Sequence, residues 1–355
     1  MGVGSWSNGW RRVLRAPALA TGAFALTFLL ALPLAITMRG VLQTHLGSSL
    51  VASSVASGVN YDWWQEFTSQ ATGLGRTFSP TIIGFATTLD SVSGILDGRG
   101  RIALVAGALA LYLAGWTLLA GGVIDRYARQ RPTHAHGFFA ACGFNAFRLL
   151  RLGAVSGIVY WWLFAYVHPW LFDEWYVDQT RGSSIERNVF LLRVGLYAGF
   201  GLVLVFTNLI FDYARIRLVV EDRRSAIGAL AAAIRFIWRH PGSTIGLYAL
   251  NGVTFLALIA VWALVAPGAG LSIWLVFLAG QLYVLARLLL KLQFMASQTA
   301  LFQSKLAHAA YTAAPAPRWP ESPAAEIIAP GLPATSSVLS ERRDRIDMSG
   351  APGGN

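Results

Sequence analysis

Three sets of side chains in this sequence are of types that do chemistry. His134, His136 and Cys142 make an H-x-H-x5-C string, and imidazole with thiolate is a zinc-ligand set. A zinc site takes three or four such groups with hydrogen-bonding partners behind them. Cys142 is the single cysteine of the chain, so the string reads as a polar turn beside arginines, and no metal or cofactor is expected. Asp125 and Asp212 form the second set, each with an arginine one turn later, Arg129 at i+4 and Arg215 at i+3. An acid at a helix C-terminus opposes the macrodipole and needs a cation. Each aspartate is therefore either an ion pair that seats a helix end or the charged lining of an inward-facing cavity. The third set is Asn208, Asn251 and Gln281, strongly polar side chains inside long apolar runs. Amides in hydrocarbon bond across helices or line a substrate path, and both readings stay open. His168, beside Pro169, reads as a residue of the membrane interface. HExxH, Walker A, nucleophile-elbow and strand-linked GxGxxG patterns are missing from the sequence. No catalytic residue is assigned, and a non-enzymatic protein is expected.

The elements that must position these residues are long and apolar. Of 355 residues, 55% are hydrophobic and 13% charged, with mean hydropathy +0.52; an ordinary soluble domain carries about twice that charged fraction. Six runs fall at 17–38, 102–124, 153–171, 191–211, 243–266 and 271–292, each near the ~20 residues that cross a hydrocarbon core as helix. Trp161, Trp162, Trp170, Trp175 and Tyr176 surround the third run, as aromatic belts do at headgroups. The first run follows Arg11, Arg12 and Arg15, but it is too long for a signal peptide and no clear cleavage site follows it.

Charge sets the expected orientation. The N-terminal segment and the loops 125–152 and 212–240 carry 3, 5 and 6 arginines against 0, 1 and 3 acids. The alternate loops 39–101 and 171–193 are near neutral, and the PGAG turn at 267–270 is uncharged. Basic loops stay inside, so both termini are expected in the cytoplasm, and the site is expected to be a bacterial inner membrane. The net charge of +11 is spent beside apolar spans, and no nucleic-acid-binding signature accompanies it.

A unit recurs. Arg12–Arg15–Pro17, Arg148–Arg151–Gly153 and Arg235–Arg239–Pro241 each place a helix breaker two residues after an arginine and before a span. The returning spans end in IDRYARQR (124–131), FDYARIRL (211–218) and, more weakly, YVLARLLL (283–290). The expected fold is all-α: six membrane helices as three hairpins, each preceded by a basic amphipathic helix at the interface, in parallel internal repeats. The third of these amphipathic helices has Ile227, Leu230, Ile234, Ile237 and Trp238 near one face, with Arg235 and Arg239 on another. The expected organisation is a basic interfacial segment at 1–16, a membrane domain at 17–300 and a disordered cytoplasmic tail at 301–355, where 313–333 hold six prolines. The outer loop 39–101 is rich in Ser, Gly and Ala and is expected as helical pieces on the outer face, with a helix start at Ser79–Pro80. Trp63 and Trp64 there anchor in headgroups or cover a cavity or partner.

The stretch DYARIRLVVEDRRSAIGALAAAIRFIWRHP resembles a broad group of bacterial membrane proteins that includes the membrane domain attached to some glycerophosphoryl diester phosphodiesterases. The resemblance covers the helix end, the LVVED turn and the basic helix before the next span. It implies a membrane-domain fold and carries over no catalytic residue, because the soluble phosphodiesterase domain has no counterpart in this chain. The expected function is that of a scaffold or a subunit of a larger envelope complex; the alternative is a carrier for lipid or another small molecule. Anionic headgroups near Arg148, Arg151, Arg235 and Arg239, and membrane proteins meeting the loop 40–100, are the expected partners.

Overall fold

The computed structural model describes residues 2–47, 49–57, 60–78, 103–182, 185–266 and 272–306. Among them every long element is a helix. α1 is Gly2–Leu14 and α2 is Pro17–Leu46. The short α3, Ala52–Ser57, and α4, Tyr61–Gln70, follow. Then come α5, Ala103–Arg129, α6, Ala135–Thr180, α7, Glu186–Val220, and α8, Ala226–Arg239. The last two are α9, Pro241–Val265, and α10, Ile273–Lys305. The PGAG turn, the Ser79–Pro80 helix start and the proline-rich tail fall outside the described residues.

Six of these helices are long and apolar enough to cross a membrane: α2, α5, α6, α7, α9 and α10. Only 6% of the most apolar stretch of α7, and 11% of those of α2, α9 and α10, is covered by protein. Helices this apolar and this uncovered have lipid as their solvent, because only there are their backbones satisfied and their side chains unpenalised. The chain is a multi-pass membrane helix bundle, as composition requires.

Proline placement explains two of the three expected hinges. Pro17 and Pro241 each occupy the first turn of a helix, where the missing N–H costs nothing. Ser225 starts α8, its Oγ accepting from the Gly228 amide at 3.1 Å. The third hinge is absent: α6 runs unbroken through Gly153, so no separate interfacial helix precedes that span. Glycine in a helix costs only about 1 kcal/mol, against about 3 for proline, and at Gly153 packing overrides it. Further along α6, the bond lost at Pro169 is absorbed by two π-helical turns, Leu163–Val167 and Trp170–Trp175. His168 lies buried between them, 4.6 Å from the Phe172 ring.

The protein core lies at one end of the bundle, the basic end. There the returning helices α5, α7 and α10 touch one another, and α6 packs on α5, α8 on α7, and α1 on α10. Tyr213, Phe236 and Phe302 meet in the middle with ring centroids 5.2 Å apart. At the opposite end the hairpins carry separate clusters. Leu163, Phe172 and Phe200 belong to α6 and α7 alone, and Trp63 and Phe67 pack on the end of α2. Trp63 is buried there and donates to His45 Nδ1 at 3.2 Å.

Candidate functional site: a polar network at the basic end

The polar residues of the bundle concentrate where α1, α5, α7, α9 and α10 converge. Small residues make that convergence possible. A Cβ on Gly9 would stand 2.7 Å from Gln293 Oε1 and 2.9 Å from the Ser297 Cα, so α1 seats its backbone on α10 at this point. Gln293 Nε2 in return donates to the Trp6 carbonyl at 2.8 Å. Arg12 is buried on the same face. Its Nη1 donates to the Tyr127 carbonyl and to Gln303 Oε1, both at 2.8 Å, and Gln303 Nε2 donates to the Ala128 carbonyl at 3.0 Å. The last carbonyls of α5 have no partner within the helix, so a cation from α1 and an amide from α10 complete its C-terminus. Burial pulls the Arg12 guanidinium down to about 10, which leaves it charged at neutral pH. A cleft of about 10 Å³ beside it, lined by Arg12, Arg15, Arg126, Tyr127 and Gln130, has room for about one water.

Asp212 anchors a second part of the network on α7. Arg215 Nη1 donates to its Oδ1 at 3.3 Å, and Gln298 Nε2 on α10 donates to its Oδ2 at 3.3 Å. Asn208 Nδ2 lies 3.5 Å from the same oxygen and 2.6 Å from the Tyr248 hydroxyl on α9. Asn251, also on α9, donates to Ser297 Oγ on α10 at 2.9 Å, while its Oδ1 meets no donor among the described residues. Asp125 stands apart with Arg129 at 2.8 Å. Gln281 is half-buried toward the opposite end of α10 and joins none of these bonds.

The arginines expected at headgroups divide. Arg235 and Arg239 are exposed on α8, next to exposed Ile227 and Trp238. The other side of α8 buries Ala229, Ala232, Ala233, Phe236 and Ile237 in the core, so the helix has two apolar faces, one of them built mainly from alanine. Ile237 therefore packs inward and does not share the outer stripe. Arg148 instead pairs with Asp222 in the turn after α7 and stacks on Phe144, while Arg151 stacks on Phe147 at 4.7 Å. Cys142 is buried against the backbone of Gly122 and His134 caps the start of α6 by its backbone alone.

Sequence reasoning passed over Lys291, Arg217 and the run Gln293–Ser297–Gln298–Thr299. The four residues of that run follow the apparent end of the sixth apolar run, Lys291 sits at its edge, and Arg217 falls in FDYARIRL at the end of the fourth span. Their only signal is spacing: Gln293 and Ser297 lie one turn apart, on one helical face. Comparisons with family models, curated proteins and solved structures find no match to this chain.

Proposed function

We propose that this chain is a non-enzymatic membrane scaffold or subunit of a larger membrane assembly, set in a bacterial inner membrane with its basic end and both termini in the cytoplasm. The observation that carries the reading is the use of the intramembrane amides. Asn208 donates to Tyr248 and Asn251 to Ser297, each across a helix pair. Each bond commits a carboxamide N–H to a neighbouring helix, as interhelical contacts do. The arginine alternation supports the orientation. The packing of α5 on α6, α7 on α8 and α10 on α1 is the closed ring that three parallel copies of one hairpin unit would make, so it supports an internal repeat. Under that repeat, buried Ala128, Ala214 and Ala300 are equivalent, and the third copy ends in SQTALF at 297–302 and not in YVLARLLL. The resemblance to phosphodiesterase-linked membrane domains agrees with a bundle lacking chemistry of its own.

Large uncovered aromatic surface on α6, including Trp161, Trp162 and Trp170, suits a lateral protein contact or lipid. Purification in mild detergent, followed by size-exclusion chromatography and mass spectrometry, tests the proposal. A membrane protein eluting at fixed ratio, and released by Trp161→Ala with Trp170→Ala, is expected. A chain that elutes alone and moves a solute across reconstituted vesicles overturns it.

A further inference from the structure

We infer that the bundle holds a site for a phosphate-type anion, formed where Arg287 and Lys291 of α10 meet Arg215 of α7 between the three hairpins. The inference goes beyond the scaffold reading and does not depend on it. Arg287 and Lys291 are one turn apart on α10 and so share a face. Lys291 Nζ lies 3.6 Å from the Trp116 ring centroid and 4.9 Å from that of Tyr112, both on α5. Gln298, two turns further along the same face of α10, holds Asp212, and Arg215 is paired with that carboxylate, so Arg215, Asp212 and Arg287 are the charged groups around Lys291. Three cations therefore face one carboxylate, for a formal +2. That carboxylate is already engaged by Arg215, Gln298 and Asn208.

Among the described residues, no ion pair reaches Arg287 or Lys291. The Arg287 guanidinium lies over the Tyr283 ring, 5.7 Å from its centroid, and the residue is exposed. It stands 14 residues beyond Ile273, about 21 Å along the helix, within the reach of a hydrocarbon core of ~30 Å. An exposed guanidinium at that depth, beside a second unneutralised cation, calls for an anion, and arginine and lysine together suit phosphate oxygens.

The uncovered apolar surface beyond the cluster suits acyl chains. Toward the opposite end the hairpins have separate cores: Leu163, Phe172 and Phe200 join α6 to α7 only, while Trp262 stacks on Tyr283 at 4.5 Å within α9 and α10. Trp274, Leu275 and Leu278 on α10 are uncovered. The anion is thus either the phosphodiester of an anionic lipid, its chains between the hairpins, or a free phosphate.

Titration of the purified full chain in mixed micelles tests this, with phosphatidylglycerol, phosphatidylcholine and inorganic phosphate as three arms. Binding is read by native mass spectrometry and by Trp fluorescence. Phosphatidylglycerol is expected to bind once per chain and to outcompete phosphatidylcholine. Arg287→Gln with Lys291→Gln should weaken it about thirty-fold, two basic residues near an anionic surface being removed. Arg235→Gln with Arg239→Gln, the same charge change on α8, should leave it unaltered, and exposed Arg287→Gln alone keeps the packing while weakening binding. Saturation by inorganic phosphate, lost in the same variants, assigns the site to a solute phosphate instead of a lipid. Equal binding of both lipids, equal losses in the two double variants, or no binding in any arm overturns the site.

Discussion

Replacing Glu221 by alanine is expected to destabilise the protein by about 3–5 kcal/mol, the cost of stranding a buried charge. Glu221 follows the last turn of α7 and takes Arg217 Nη2 at 3.0 Å on one oxygen and Arg223 on the other. The Arg217 and Glu221 side chains are only 10% and 7% exposed. Arg217 also lies under the Phe302 ring, 5.4 Å from its centroid, in the middle of the core where α7, α8 and α10 meet. Without the carboxylate, a mostly buried guanidinium remains beside the Phe236 and Phe302 rings with its ion pair lost. Glu221→Gln keeps the shape and one hydrogen bond, so it should fall between wild type and alanine. Thermal unfolding in mild detergent, followed by loss of monodisperse protein, checks the order. A loss below about 1 kcal/mol for Glu221→Ala would mean that the pair behaves as an exposed one.

Gly9→Leu should undock α1. Even a methyl group at this position would stand 2.8 Å from the Ser297 Cβ and 2.9 Å from its Cα, and backbone cannot swing aside as a flexible side chain does. Overpacking of this kind costs about 1–3 kcal/mol. The contacts that depend on the docked helix, Gln293 with the Trp6 carbonyl and Arg12 with the end of α5, are lost with it. The expected signature is local: faster proteolysis within the first 16 residues and a lowered melting point. Gly4→Leu, where a Cβ meets nothing within 4 Å, serves as the control and should behave as wild type. Equal stability of the two variants would show that α1 does not seat on α10.

The membrane bundle and its six spans were legible because hydropathy is a sum over about twenty residues, and no local detail cancels it. Pro17 and Pro241 were legible as helix starts because each stands between a basic segment and an apolar run, whereas Pro33 and Pro169 fall inside such runs and lie within α2 and α6. Gly153 was not, because its cost is small enough for the packing of α6 on α5 to override. The two faces of α8 were half legible. Ile227 and Trp238 announce themselves, whereas Ala229 and Ala233, which carry the packing, look neutral on any hydropathy scale. The polar network was the least readable part. Asp125–Arg129 and Asp212–Arg215 follow from helical spacing, but Gln298 reaches Asp212 from 86 residues away in sequence. Lys291 was passed over in the sequence, and only the approach of Trp116 from α5 reveals it as an interior cation.

The interhelical role of Asn208, Asn251 and Ser297 is the core of the proposed function. It is tested most directly by thiol accessibility at those positions in native membranes. With Cys142→Ser as background, Ser297→Cys and Asn208→Cys are exposed to a small water-soluble thiol reagent applied from both sides. Ser69→Cys, on the exposed surface of α4, is the positive control. Ser297 is fully buried and Asn208 is held against Tyr248, so both are predicted to stay unmodified until the protein is denatured. Modification of either in the folded protein, at a rate near that of Ser69→Cys, would place water along that surface and contradict the account.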